Sequence, residues 1–196
     1  MRSKKYMDQE DDLWYIDKVL DGDSSYYSFL VEKYESKAYT LALRIVRNEE
    51  DAQEVSQDAF LKAFKSLSKF KREASFSSWL YRIVYNTSLS RIKKKQIKTT
   101  ELTFESENIS IDETQQGFAR LVKEDRKRYL QLAMNQLSEE ESTMINLFYS
   151  DDKNADEIGE IMSLSHGNVR VKLLRTRKKL LTILSQALNK EIREIL

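Results

Sequence analysis

The 196-residue sequence contains no cysteine, no proline, a single histidine and only four glycines. Without cysteine there is no disulfide framework, no thiolate zinc site and no cysteine nucleophile. Without proline, and with so little glycine, the chain lacks the turn residues on which a sheet protein depends, whereas helices tolerate their absence. One histidine leaves most hydrolase and metalloenzyme constellations without their usual base or ligand. No paired catalytic carboxylates, glycine-rich phosphate loop or metal-ligand spacing stands out. The expectation is therefore a protein that is not an enzyme and uses no metal and no cofactor. No apolar run approaches the ~18 residues of a membrane span, and the first ten residues carry no apolar core. Both point to a cytoplasmic location without membrane insertion. What is present is 40% hydrophobic and 33% charged, a composition that suits an all-α protein.

The net charge of +1 conceals a strong asymmetry along the chain. Between Leu137 and Ser165 there are one basic and eight acidic residues, and between His166 and Leu196 eight basic and two acidic. A second basic cluster, Arg91, Lys93, Lys94, Lys95 and Lys98, lies near mid-chain. An isolated basic run is usually a solvated helix face. Two such runs, placed in separate parts of the chain, form the electrostatic footprint of a phosphate-backbone binder.

Two helical units are legible, separated by the polar and acidic stretch 99–116, TTELTFESENISIDETQQ, which lacks a sustained helical period and reads as a flexible linker. In the first unit Tyr34, Ala38, Leu41, Ala42 and Ile45 share one helical face. Asn48 then offers an N-cap for a second helix, whose apolar stripe is Ala52, Val55, Ala59, Ala63 and Leu67, widened by Phe60 and Phe64. Its polar side carries Asp51, Glu54, Asp58 and Lys62, with Asp58 and Lys62 at the spacing of a supporting ion pair. A third helix through Trp79, Leu80, Ile83, Val84 and Thr87 runs into the basic cluster.

In the second unit Ser138 with Glu141 spells a capping box, and Asn154 with Glu157 repeats the pattern at the start of a short helix bearing Ile158, Ile161 and Met162. Ser165 caps a longer helix bearing Val169, Leu173 or Leu174, Leu180 and Leu184. A short helix, a tight turn and a longer basic helix make a helix-turn-helix, whose second helix enters the DNA major groove. Gly159 suits the helix crossing, Leu164 the turn and Val169 the small core. His166, Asn168, Arg170, Val171, Lys172, Leu174 and Arg175 fall on the other face, a mixture of phosphate binders and groups that read base edges or thymine methyls, and Arg177, Lys178 and Lys179 continue the positive stripe.

These motifs resemble the extracytoplasmic-function, or group IV, sigma factors of bacterial RNA polymerase, within the sigma-70 family. Asp51, Ala52, Gln57, Asp58 and Phe60 stand at the core of the family's region 2.1 to 2.2 signature. Ser75–Asn86, SFSSWLYRIVYN, is similar to the text of regions 2.3 to 2.4, and Leu137–Leu180 to region 4. Leu137 and Ser138 replace the family's common Leu-Pro, and Gly167, Asn168 and Val169 replace its usual Gly-Thr-Val. The resemblance implies a region 2 helical bundle over 1–98, a linker over 99–116 and a region 4 helix-turn-helix over 117–196.

It also implies roles for particular residues. Asp51, Glu54, Gln57, Asp58 and Lys62 would dock on core RNA polymerase. The minus-10 element of promoter DNA would be bound and melted by Lys65, Lys69, Phe70, Lys71, Arg72 and Phe76 around an extruded base, and by Arg82, Asn86, Arg91, Lys93, Lys94 and Lys95 along the adjoining strands. Phe70, Phe76 and Trp79 could equally serve the core, and for Trp79 the core is the favoured assignment. The minus-35 element would be read by His166, Asn168, Arg170, Val171, Lys172, Leu174, Arg175 and Arg177. Promoter DNA and core polymerase are the implied partners, with an anti-sigma factor a further candidate. The alternatives are a stand-alone helix-turn-helix regulator, which would have to explain the first 95 residues otherwise, and a helical interaction protein or enzyme without a nucleic-acid role.

Overall fold

The computed structural model describes residues 4–99 and 128–195, with side chains over 11–95 and 128–187. It is all-α, with no strand among the described residues. The first half comprises α1 (Lys4–Leu20), α2 (Tyr27–Val46), α3 (Glu49–Lys65) and α4 (Phe76–Thr99). The second comprises α5 (128–135), α6 (Glu139–Tyr149), α7 (Ala155–Met162) and α8 (His166–Ile195). Short 3-10 turns at Ser24–Tyr26 and Leu67–Lys69 join α1 to α2 and follow α3. The expected linker lies outside the described residues, save for Thr99 at the end of α4.

Helices α2, α3 and α4 pack mutually, and their approach is set by small side chains. Ala38, Ala42, Ala52, Ala59 and Ala63 are all fully buried, so the backbones come close and the larger Leu41, Ile45, Leu80 and Val84 interdigitate between them. The ends follow the sequence grammar: the Asn48 side chain accepts the Asp51 amide at 2.9 Å, and the break between α2 and α3 is made by Arg47 in a left-handed conformation, φ 53°. Helix α1, for which the sequence reading assigns no element, lies against α2. Its Ile16 is fully buried, and Trp14 and Tyr15 meet Tyr26 and Phe29 in a cluster of rings.

In the second half both capping boxes are complete, Ser138 with Glu141 and Asn154 with Glu157. Helix α7 ends on Ser163 in a left-handed conformation, and the turn to α8 is tight because a Cβ on Gly159 would stand 2.6 Å from the Leu164 carbonyl oxygen. Val169 and Leu173 are buried, and of the two candidates at that stripe position Leu174 is the one that faces solvent.

The two halves share one hydrophobic core. Helix α4 packs on α7 as well as on α2 and α3, and α2 also meets α6. Contact on several sides explains why α4 shows no simple apolar stripe: Phe76, Leu80, Tyr81 and Val84 are buried around more than one face.

Candidate nucleic-acid and polymerase-docking surfaces

On the polar side of α3, Glu54, Gln57 and Asp58 are exposed, and they form a row on one helix face. Asp51 differs from them. It is 7% exposed, and its carboxylate accepts from Arg91 Nε and Nη2 at 2.9 and 2.7 Å and from Lys95 Nζ at 3.0 Å. Burial alone would raise this carboxyl, but the hydrogen bonds from Arg91 and Lys95 outweigh it and hold the group below the ordinary aspartate range. Arg91 also reaches Glu54 at 2.7 Å. Lys62 turns toward α4 and donates to Thr87 Oγ1 at 3.1 Å. Two residues assigned from sequence to polymerase docking, Asp51 and Lys62, thus join α3 to α4, and two assigned to DNA, Arg91 and Lys95, hang from Asp51.

Lys65, Lys69, Lys71 and Arg72 are exposed in and beside the loop between α3 and α4. Arg72 has φ 61° and pairs with Asp17 of α1. Phe70 and Phe76 are buried, and with Trp79 they form a ring cluster at centroid separations of 5.2–6.0 Å. Phe70 and Phe76, assigned from sequence to an extruded base, are instead core residues, 8% and 1% exposed, because they fill the junction of the loop with α2 and α4; Trp79 is the partly exposed ring of the cluster, below the cationic side chains of the loop. Arg82, Asn86, Lys93 and Lys94 are exposed along α4 and extend the cationic track.

On α8, His166, Asn168, Arg170, Val171, Leu174 and Arg175 are exposed. Val171 and Leu174 are 47% and 55% exposed at i,i+3 spacing, apolar groups flanked by arginines. Other polar side chains of this face are already engaged. Lys172 pairs with Glu140 at 2.9 Å, Lys179 with Glu141 at 2.7 Å, and His166 with Asp156. Arg177 lies over the rings of Phe148 and Tyr149, 4.7 and 5.3 Å from their centroids.

The residue that sequence reasoning missed is Lys153. It sits in a polar stretch that reads as a helix terminator, yet it is 5% exposed. Its ammonium donates to Ser77 Oγ at 2.6 Å, Ser78 Oγ at 3.0 Å and Ser75 Oγ at 3.3 Å, and to Glu157 at 3.3 Å. Only its place beside the acidic 151–160 segment could have hinted at this, because its serine acceptors come from a segment about 75 residues away. Nearby, burial raises the Asp151 carboxyl against the opposing pull of Lys37 and Lys153, and burial also raises the Tyr81 phenol, which donates to Asp151 at 3.5 Å.

A short capped helix, a tight turn and a long helix with an exposed cationic face define a helix-turn-helix protein of the DNA-binding class. The chain matches the family model for sigma-70 region 2 over residues 30–97 and that for sigma-70 region 4 over residues 127–180. It is 29% identical over 189 residues to the ECF RNA polymerase sigma factor SigW of Bacillus subtilis, covering 92% of this chain and 96% of that protein. It is 25% identical to the RNA polymerase sigma-H factor of Pseudomonas aeruginosa, over 87% of this chain and 92% of that one. Its fold is shared with the sigma factor RpoE of Bartonella quintana, solved in complex with the anti-sigma factor NepR, at a TM-score of 0.66 and 19% identity over 81% of this chain and 96% of that one. The chain belongs to the sigma-70 family, among its extracytoplasmic-function sigma factors. That family is not an enzyme family, and among the described residues no helix is long and apolar enough to cross a membrane. A stand-alone regulator would leave the region 2 match unaccounted for.

Proposed function

We propose that this sigma factor joins core RNA polymerase through region 2, reads the minus-10 and minus-35 elements of its promoters and supports strand opening without a catalytic step of its own. The observation that carries the reading is the ordered pair of family matches, region 2 and then region 4, each falling on a surface with the required chemistry. Residues 1–98 form the docking and minus-10 unit, 99–116 the linker and 117–196 the minus-35 unit. Glu54, Gln57 and Asp58 present the docking row, while Asp51 and Lys62 hold α3 in register with α4. Lys65, Lys69, Lys71 and Arg72 neutralise phosphates of the non-template strand. An extruded base packs at the edge of this loop on Trp79, the partly exposed ring of the cluster, which the buried Phe70 and Phe76 support from beneath. Arg82, Asn86, Arg91 and Lys93 to Lys95 follow the adjoining backbone.

In region 4, Arg170 and Arg175 supply charge and donors to the major groove, Val171 and Leu174 supply apolar contact to thymine methyls, and His166, Asn168, Lys172 and Arg177 flank them. Melting draws its free energy from base capture and from polymerase contacts, so no nucleotide is hydrolysed and no metal or cofactor is needed by this chain. A factor of this kind works in the cytoplasm, and an anti-sigma factor that covers the same surfaces is a natural partner; the relative from Bartonella quintana was solved with one. The test is transcription in vitro with purified core polymerase, genomic fragments as template and this chain added or omitted. Discrete new transcripts support the reading. Absence of transcripts together with failure to co-elute with core overturns it in favour of a stand-alone regulator.

A further inference from the structure

Lys153 belongs to the loop between α6 and α7, yet three of its acceptors, Ser75, Ser77 and Ser78, lie at the start of α4. A buried ammonium is tolerated only where hydrogen-bond acceptors replace its lost water, and here most of those acceptors come from the other half of the molecule. The site is built for the purpose. The side chain of Lys153 is 4% exposed, and the Tyr81 ring of α4 lies 5.5 Å from the ammonium. Ser78 also donates to Glu157 at 3.3 Å, and the Tyr81 hydroxyl donates to Asp151. A second contact at the other end of the interface, from Arg47 Nη2 to the Leu137 carbonyl at 2.9 Å, fixes the orientation of α6 on α2.

The serines that receive Lys153 flank Phe76 and directly follow the loop that carries Lys69, Lys71 and Arg72. Region 4 therefore rests on the edge of the surface assigned to base capture. The minus-35 reader is involved as well: Arg82 of α4 and His166 of α8 line one cleft of about 410 Å³. The two promoter elements are centred about 25 base pairs apart, which is roughly 85 Å at 3.4 Å per pair. Helices in direct contact cannot serve both elements at once.

We infer that Lys153 is an intramolecular latch: its ammonium, seated on the Ser75, Ser77 and Ser78 hydroxyls, holds region 4 over the base-capture edge of region 2 and keeps the free chain from engaging DNA. The inference rests on the promoter-reading function proposed above. The chemistry suits a reversible catch. On separation the ammonium and the hydroxyls regain water, so the net strength of the contact is no more than that of about one charge-assisted hydrogen bond, and binding of region 2 and region 4 to separate places on polymerase can open it.

The absence of native cysteine permits a direct test. Glu32→Cys on α2 and Gln186→Cys on α8, both exposed and outside the assigned surfaces, accept a dye pair for energy transfer in the full chain. Lys153→Ala removes the ammonium from region 4, and Ser77→Ala with Ser78→Ala removes acceptors from region 2 while leaving region 4 untouched. The parent should show a predominant high-transfer population. Each variant should enlarge the low-transfer population roughly tenfold, the factor set by one lost charge-assisted hydrogen bond, and combining the variants should add little because they break the same contact. A single-stranded oligonucleotide bearing a minus-10 sequence mapped with the holoenzyme should bind the open variants more tightly by a similar factor. A parent that is already low-transfer, or variants with unchanged transfer, overturns the latch. Opening without a gain in oligonucleotide binding overturns the covering of the capture edge. Failure of core-dependent transcription removes the function proposed above and leaves the transfer result to stand by itself.

Discussion

One set of acid–base pairs in each region joins neighbouring helices, α3 to α4 and α6 to α8, and the two sets lie at opposite depths. In region 2 the nearly buried Asp51 gathers Arg91 and Lys95 and fixes α4 against α3. In region 4 the first turn of α6 offers Glu140 and Glu141 to Lys172 and Lys179 of α8, with both members of each pair partly in water. The first arrangement holds structure together, because a buried carboxylate that loses its cations is left uncompensated. The second contributes little to stability. On the promoter-reading function proposed above, its effect is on DNA, because a phosphate would have to displace Glu140 before it could use Lys172. The α3–α4 set holds helices together, and on the proposed function the α6–α8 set moderates the face that would read DNA.

The largest break in this comparison should come from the core of region 2. Leu80 is fully buried on α4, the helix that packs on α2 and α3 of region 2 and on α7 of region 4. Leu80→Ala should cost about 2–5 kcal/mol by loss of transfer free energy and creation of a cavity, measured by urea unfolding. Both tryptophans, Trp14 and Trp79, lie in region 2, so their fluorescence transition should move to lower denaturant together with the far-ultraviolet circular dichroism.

A change in region 4 should separate those two signals. Gly159→Ala would push a methyl group to 2.6 Å from the Leu164 carbonyl oxygen, which is backbone and cannot swing aside. The crossing of α7 and α8 has to open, at about 1–3 kcal/mol. The expected result is an earlier loss of part of the dichroism and weaker binding to minus-35 duplex by the holoenzyme, with the tryptophan transition nearly in place. If the tryptophan transition shifted equally, the two regions would unfold as one unit.

The contrast between holding and moderating charges is sharpened by two conservative changes. Glu140→Gln releases Lys172 without altering shape. Holoenzyme binding to promoter duplex should tighten severalfold at low salt, and the slope of log affinity against log salt should steepen by up to about 1, one additional phosphate contact. Asp51→Asn should do the reverse in region 2, lowering the melting temperature and weakening minus-10 binding, since Arg91 and Lys95 lose the group that orients them. An unchanged salt slope for Glu140→Gln would mean that Lys172 does not reach DNA.

These differences mark where a sequence is informative. Helices α2, α3, α4, α6, α7 and α8, both capping boxes, the close approach at Gly159 and the exposed face of α8 are legible because each depends on residues a few positions apart, whereas the sequence reading assigns no element to α1 or α5. Asp51 is legible as a polar position on α3 but not as a buried anchor, because its partners lie 40 and 44 residues onward on α4. Lys153 is hidden for the same reason at greater range. Its loop is polar by composition, and only the docking of α7 on α4 brings the three serines to it. Helix α1 is equally hard to read, since its stability comes from the ring cluster with Tyr26 and Phe29 more than from a regular apolar stripe.

The smallest expected effect, and the most specific, concerns pH at the contact between the regions. Asp151 of region 4 faces Lys37, Arg44 and Tyr81 of region 2 and lies beside Asn146 and Lys153 of its own region. Burial raises its carboxyl above the ordinary aspartate range despite those cations, so in the packed molecule the ionised form is disfavoured relative to the unfolded chain. Its destabilising contribution is full above the raised value and vanishes as pH falls through that value and then through the ordinary one. Glu141 has the opposite sign. Burial alone would raise it, but Lys179 and the Ser138 amide outweigh that effect, so its stabilising contribution is present above the ordinary glutamate range and is lost as pH falls through its lowered value. Asp151→Asn should therefore raise the melting temperature slightly at neutral pH, with the gain shrinking to nothing on acidification. Glu141→Gln should lower it slightly at neutral pH, with that loss persisting to more acid conditions before it fades. Opposite signs at neutral pH, fading at different acidities, would show that a carboxylate at the contact between the regions and one beside the reading face are governed by burial and by pairing respectively.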